Sequence, residues 1–126
     1  GTGIDFLKTK NPSKIFIAGA SIGANLSLWY ASEHSEISSV ILLSPGFDYR
    51  GIKTESAASA LSPGQSVYYA ASRDDIYSAD TVNALSLETP LGAKKEAKIF
   101  EKAGHGTTIF EKEPGFMDEV ILWLKR

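Results

Sequence analysis

Ser21 stands in Gly19-Ala20-Ser21-Ile22-Gly23, a G-x-S-x-G run set between an apolar stretch and an amphipathic one. Lys14 to Ala18 (K-I-F-I-A) have the β-branched and aromatic character of a short buried strand. Ala24 to Ser32 are good helix formers, with Leu26, Trp29 and Tyr30 at helical spacing. A sharp strand-to-helix turn strains the serine backbone and lifts its hydroxyl out at the top of a sheet, the geometry of a nucleophile elbow. Glycine is expected at 19 and 23 because neighbouring backbone passes too close for a Cβ. The helix N-terminus aims free N–H groups, that of Ile22 among them, at any oxyanion formed beside Ser21.

A nucleophilic serine needs a base and an acid to orient it, and the chain has two histidines. His34 lies near the end of the helix that starts at the elbow, beside Glu33 and Glu36, where a solvated or helix-terminal role accounts for it. His105 lies in Ala103-Gly104-His105-Gly106-Thr107, directly after the strand-like run Ala97 to Glu101. A histidine bracketed by glycines on a loop after a strand is poorly explained by packing and is the candidate base. Arg73-Asp74-Asp75 follows another strand candidate, Val67 to Ser72. Asp75 is the preferred acid and Asp74 the alternative, one of the two being accounted for as the N-cap or first-turn acid of a helix starting near Ser78. Asp48, past Ser44-Pro45-Gly46, is a third possibility, though a loop carboxylate facing Arg50 explains it as well.

The order Ser, Asp, His is that of α/β-hydrolases, not of the chymotrypsin or subtilisin types. The chain resembles the C-terminal half of an α/β-hydrolase of the bacterial serine esterase and dienelactone-hydrolase-like group. The likeness lies in I-F-I-A-G-A-S-I-G-A-N (15–25), S-S-V-I-L-L-S-P-G-F-D-Y-R-G (38–51), A-A-S-R-D-D-I-Y (70–77) and A-G-H-G-T (103–107), which together span nearly the whole sequence. It implies Ser21 as nucleophile, Asp75 as acid, His105 as base and the Ile22 N–H as an oxyanion donor. Dienelactone hydrolases proper use a cysteine nucleophile, and with no cysteine here their lactone specificity is not carried over.

Four strand candidates, 14–18, 39–44, 67–72 and 97–101, alternate with helical stretches, which predicts an α/β fold with a parallel sheet of about four strands. With sequence neighbours paired, right-handed crossovers place the three connecting helices on one face. The last helix, roughly Phe116 to Lys125, with Phe116, Val120, Leu124 and Ile121 as its buried stripe and Trp123 at the edge, is left to cover the other. The strand feeding Ser21 is then an open edge, whereas in the family earlier strands pair there and one of their loops carries the second oxyanion donor. Residues 1–126 are therefore expected to be a partial α/β-hydrolase domain that pairs through this edge or lacks an N-terminal half. Gly1 to Lys10, with Ile4, Phe6 and Leu7, reads as the end of a helix stopped by Asn11-Pro12.

The net charge of −2, with both signs interspersed, gives no basic stripe for nucleic acid, and no apolar run approaches membrane-spanning length. Two distant histidines and no cysteine give no case for a metal site, and no cofactor is expected. Localisation is left open by the sequence. The polar stretch Phe47 to Gln65 is placed above the strand ends, where α/β proteins bind ligands. There Ala20, Phe47, Tyr49 and Ile52 are candidates for a substrate pocket, unless the aromatics serve only to pack the loop. Pro90 to Lys95 reads as a surface turn.

The expected activity is hydrolysis of a small-molecule carboxylic ester or thioester through an acyl-enzyme. Two other readings differ in class. One is a non-catalytic fragment or interaction module. The other is a nucleotide-binding oxidoreductase, since Gly19 to Gly23 with Tyr49-x-x-x-Lys53 is also similar to a short-chain dehydrogenase. Asn25 stands where that fold places its third glycine, and Gly51 interrupts the Tyr–Lys pair.

Overall fold

A computed structural model of the chain describes residues 14–126. The helix end expected at Gly1 to Lys10 and its Asn11-Pro12 stop lie outside the described residues. Four strands form one parallel sheet: β1 (Phe16–Ala20), β2 (Ser39–Leu43), β5 (Ser66–Ser72) and β6 (Lys94–Phe100), ordered β1-β2-β5-β6. Between β2 and β5 the chain makes a small antiparallel hairpin, β3 (Asp48–Tyr49) with β4 (Ile52–Lys53). The helices are α1 (Ile22–Glu33), α2 (Glu55–Ser59), α3 (Ile76–Glu88), α4 (Thr108–Lys112) and α5 (Phe116–Leu124).

The central strands are apolar because both faces of the sheet are covered. Every residue of β2 is buried, and its side chains alternate between two cores. Val40 and Leu42 join Val67, Tyr69 and Ala71 of β5 on the face covered by α1, α2 and α3. Ile41 and Leu43 join Tyr68 and Ala70 on the face covered by α4 and α5. The three crossover helices thus share one side, as the strand order predicts.

Several boundaries differ from the sequence reading, each for a physical reason. The first strand runs over 16–20, not 14–18, because its pairing with β2 starts at Phe16 opposite Ser39 and carries on to Ala20, next to Ser21. The last strand begins at Lys94 rather than Ala97, so what reads as a turn up to Lys95 already belongs to the ladder. Its charged start, K-K-E, hides a strand that needs no apolar pattern: it is an outer strand, and charge there discourages further pairing. In α1, Leu26 and Trp29 face outward, and small residues, Ala24, Ser27 and Ala31, with Asn25 and Leu28, turn inward so that the helix lies close to the sheet. In α5 the buried stripe is Phe116, Val120 and Trp123, with Leu124 partly buried, while Ile121 is exposed. Positions 116, 120 and 123 follow the i, i+4, i+7 line, and Ile121 falls one step beyond it. Trp123 packs edge-on against Tyr68, ring centroids 5.3 Å apart.

The two outer strands are unlike. Phe16 and Ala18 of β1 are exposed, on the face that α4 and α5 do not reach, and no described residue pairs with the free edge of β1. No helix among the described residues is long and apolar enough to cross a membrane.

α5 is tied down by a polar link. The Tyr68 hydroxyl donates to Glu119 Oε2 at 2.9 Å, and Lys98 Nζ donates to both Glu119 oxygens at 2.9 and 3.0 Å. The Lys98 ammonium holds the Glu119 carboxyl below the usual carboxylate range, and burial raises the Tyr68 phenol above its own. A carboxyl whose pKa is lowered by folding stabilises the fold above its unfolded value and ceases to as pH falls through the folded one. Glu119→Gln is therefore expected to flatten the acid limb of stability. Its urea midpoint should fall less than the parent's below about pH 4, with a difference near neutrality of no more than about 1 kcal/mol for so exposed a pair.

Candidate active site

Ser21 directly follows β1 and precedes α1, with φ 58° and ψ −125°. An L-residue pays for such a backbone with roughly 1–3 kcal/mol of strain, so the surroundings must impose it. Two contacts do. The Ser21 N–H donates to the Leu43 carbonyl at 2.9 Å, extending the β1–β2 ladder, while the Ser21 carbonyl accepts from Ala24 and starts the helix. The close approach also explains one of the glycines. A Cβ on Gly19 would lie 2.3 Å from the Gly23 carbonyl oxygen and 2.6 Å from Ser27 Oγ. A Cβ on Gly23 would meet nothing within 4 Å among the described residues, so steric need holds for Gly19 and not for Gly23. Ile22 is the first residue of α1, and its N–H has no acceptor among the described residues.

The loop after β6 brings His105 over this turn. Its Nε2 lies 3.0 Å from Ser21 Oγ, and its Nδ1 pairs with Asp75 Oδ2. Asp75 occupies the N-cap position of α3, and its side chain makes no capping bond and turns to the imidazole instead. The three side chains form one hydrogen-bonded chain, with His105 about half exposed and Asp75 largely covered.

The neighbouring Asp74 goes elsewhere. It accepts from the Gly104 N–H at 3.2 Å, and hydrogen bonds from the Ser72 hydroxyl and from that N–H keep its carboxyl below the usual range. Asp48 closes the β3–β4 turn by accepting from the Gly51 N–H at 2.7 Å, and no ion pair joins it to Arg50. His34 ends α1, stacked on Tyr30 with its Nδ1 2.8 Å from the Tyr30 carbonyl. Tyr49 and Lys53 sit on opposite strands of the hairpin, so they do not form the helical pair of a short-chain dehydrogenase. Among the described residues there is no cluster of three or more His, Cys, Asp or Glu side chains arranged to hold a metal ion.

Of the candidate pocket residues, Ala20 lies beside the His105 loop, with its Cβ 3.7 Å from where a Cβ on Gly106 would stand. Phe47 and Tyr49 both pack edge-on against Tyr77, at 5.9 and 5.6 Å. The Tyr77 hydroxyl bridges the backbone of Asp48, and the Tyr49 hydroxyl lies 3.3 Å from Ser78 Oγ. Gly46 is required below these rings, since a Cβ there would lie 2.7 Å from both tyrosines. Ile52 is half buried, and its carbonyl is held by Asn25.

The sequence reading gives no structural role to three buried polar side chains. Asn25 pairs with both the N–H and the carbonyl of Gly46 and donates to Ile52, fastening the hairpin to α1. Ser44 and Ser72 accept from the His105 loop at Gly106 and Ala103. The available signal was a serine closing each of two otherwise apolar strands.

No family model and no curated protein matches the sequence. Solved structures do. A protein described as a predicted CIB-like hydrolase from Thermoplasma acidophilum superposes with a TM-score of 0.66 at 16% identity, over 95% of this chain and 55% of that one. An acylaminoacyl peptidase from Pyrococcus horikoshii superposes with a TM-score of 0.56 at 16% identity, over 83% of this chain and 23% of that one. The architecture is that of an α/β-hydrolase fold, in part: the chain spans 55% and 23% of the lengths of these two relatives.

The strand-to-helix turn at Ser21 separates the two glycines. Gly19→Ala is expected to destabilise the chain by roughly 1–3 kcal/mol through overpacking, and Gly23→Ala to leave stability unchanged or raise it by up to about 1 kcal/mol. Urea midpoints of the two variants measure this, and equal losses in both would contradict the close approach.

Proposed function

We propose that this chain carries the reactive centre of a serine hydrolase that cleaves carboxylic esters or thioesters through an acyl-enzyme. The observation that carries the reading is the hydrogen-bonded chain from Ser21 Oγ through His105 to Asp75, at the ends of three parallel strands. The fold shared with a hydrolase and a peptidase is consistent with it. The motif resemblance narrows it to the serine esterase and dienelactone-hydrolase-like group.

In this mechanism the Ser21 hydroxyl proton passes to His105 Nε2 as Oγ bonds to the substrate carbonyl carbon. Asp75 accepts the Nδ1 proton's hydrogen bond and stabilises the imidazolium, without taking the proton. The Ile22 N–H donates to the oxyanion, an interaction typically worth about 3 kcal/mol per donor. The imidazolium then returns its proton to the leaving oxygen or sulfur as the carbonyl–heteroatom bond breaks. Water, deprotonated by the same Nε2, attacks the acyl-enzyme and frees Ser21. Ala20, Phe47 and Tyr49 are assigned to the substrate pocket, and the free edge of β1 to pairing with further strands, whose loop would bring the second oxyanion donor.

Exposure of the folded chain to a fluorophosphonate, read by intact mass, tests this. One adduct is expected, absent in Ser21→Ala and formed ~10²–10⁴-fold more slowly in His105→Ala. Asp75→Asn should also slow it, and by more than Asp74→Asn, whose amide oxygen can still accept from the Gly104 N–H. A folded chain that takes no adduct would favour the non-catalytic interaction module instead.

A further inference from the structure

We infer that Ser44 and Ser72 are positioning residues for His105, their hydroxyl oxygens locking the backbone of its loop on both sides of the imidazole. The inference rests on the reading of His105 as the base. The Gly106 N–H donates to Ser44 Oγ at 2.8 Å, and the Ala103 N–H donates to Ser72 Oγ at 2.7 Å. Both serines are fully buried, as is Ala103. Between these anchors the Gly104 N–H donates to Asp74. Three loop N–H groups are thus held from the residue after β2, from the end of β5 and from the turn after β5, and none by a ladder.

The loop needs such anchors. Gly104 and Gly106 have φ of 78° and 64°, and two glycines flanking one histidine leave the free chain with many alternatives. The hydroxyls select one of them, the conformation in which Nε2 faces Ser21 and Nδ1 faces Asp75. Because β2 lies next to β1 and β5 carries Asp75 just past its end, each serine references His105 to the strand that neighbours or bears one of its partners.

Ser44 itself carries the second argument. Its φ is 53°, a backbone that glycine adopts freely and serine does not. If the position served only the turn, glycine would serve it better. A serine held there in strain, with its hydroxyl on the Gly106 N–H, points to the side chain. That asymmetry supplies the test, since Ser44→Gly removes the hydroxyl and relieves the backbone together.

The experiment is the kinetics of fluorophosphonate labelling of the full chain for the parent, Ser44→Gly and Ser72→Ala, each shown to be folded by near-UV circular dichroism. The maximal inactivation rate constant should fall by at least ~10-fold in both variants with the half-saturating concentration little changed, as expected when a reacting group is displaced by a fraction of an ångström. Labelling at the parent rate in either folded variant overturns the inference. Hydrogen exchange and ring resonances measured by NMR provide a readout independent of the reaction. In the parent the Gly106 and Ala103 amides should be protected, and Ser44→Gly should expose Gly106 and shift the His105 ring signals. If the parent takes no label, the hydrolase reading fails by itself. Unmoved His105 signals in Ser44→Gly would still overturn the positioning role.

Discussion

Parallel pairing of the four sheet strands is the constraint on which the site depends. With every strand running the same way, Ala20, Leu43, Ser72 and Phe100 all end on one side of the sheet. The residues able to do chemistry come in the turns just beyond those ends. Ser21 and His105 are 84 positions apart in the chain and 3.0 Å apart in space for that reason. Crossover helices on one face and α4 and α5 on the other keep the two central strands buried. The site is a by-product of strand direction, refined by loop hydrogen bonds.

The refinement is done by polar groups placed where the apolar strands stop. The two central strands run through both cores, and each is followed or closed by a buried serine that faces the histidine loop. Asn25 does the same for the hairpin by matching the backbone polar groups of Gly46. Each satisfies loop N–H or carbonyl groups that have left the ladder and cannot reach water, a situation in which an unpaired group is expensive. At Ser21 the backbone strain has the same origin: β1 must end in the ladder, and α1 must begin at once.

Much of this was legible in the residues. The elbow, the glycine-bracketed histidine and the unbroken apolar run of β2 carry local signals strong enough to place strands, crossovers and candidate side chains. What was not legible depended on neighbours in space. Adjacent carboxylates such as Asp74 and Asp75 point in different directions, and nothing local says which one meets the imidazole. The charged start of β6 reads as a turn because an outer strand has no need of apolar alternation. Leu26 and Trp29 suggest an inward face for α1, but a helix that must sit close to a sheet turns its small residues in. Ser44 and Ser72 look like ordinary strand ends until the loop they hold is seen.

The contrast between the outer strands bears on how the site works. β6 is guarded by Lys94, Lys95 and Glu96, whereas β1 presents Phe16 and Ala18 with no such charge. Among the described residues, the strand that leads into Ser21 is thus the outer strand without charged side chains, and the outward Leu26 and Trp29 of α1 are exposed as well. The most direct measurement of the central claim, that strand ends bring Ser21, His105 and Asp75 into one hydrogen-bonded chain, is proton NMR of the His105 Nδ1–H. A strongly downfield, slowly exchanging resonance is predicted, retained in Ser21→Ala and Asp74→Asn and lost in Asp75→Asn. Its absence from the folded chain, or its loss in Asp74→Asn and not in Asp75→Asn, would contradict the account.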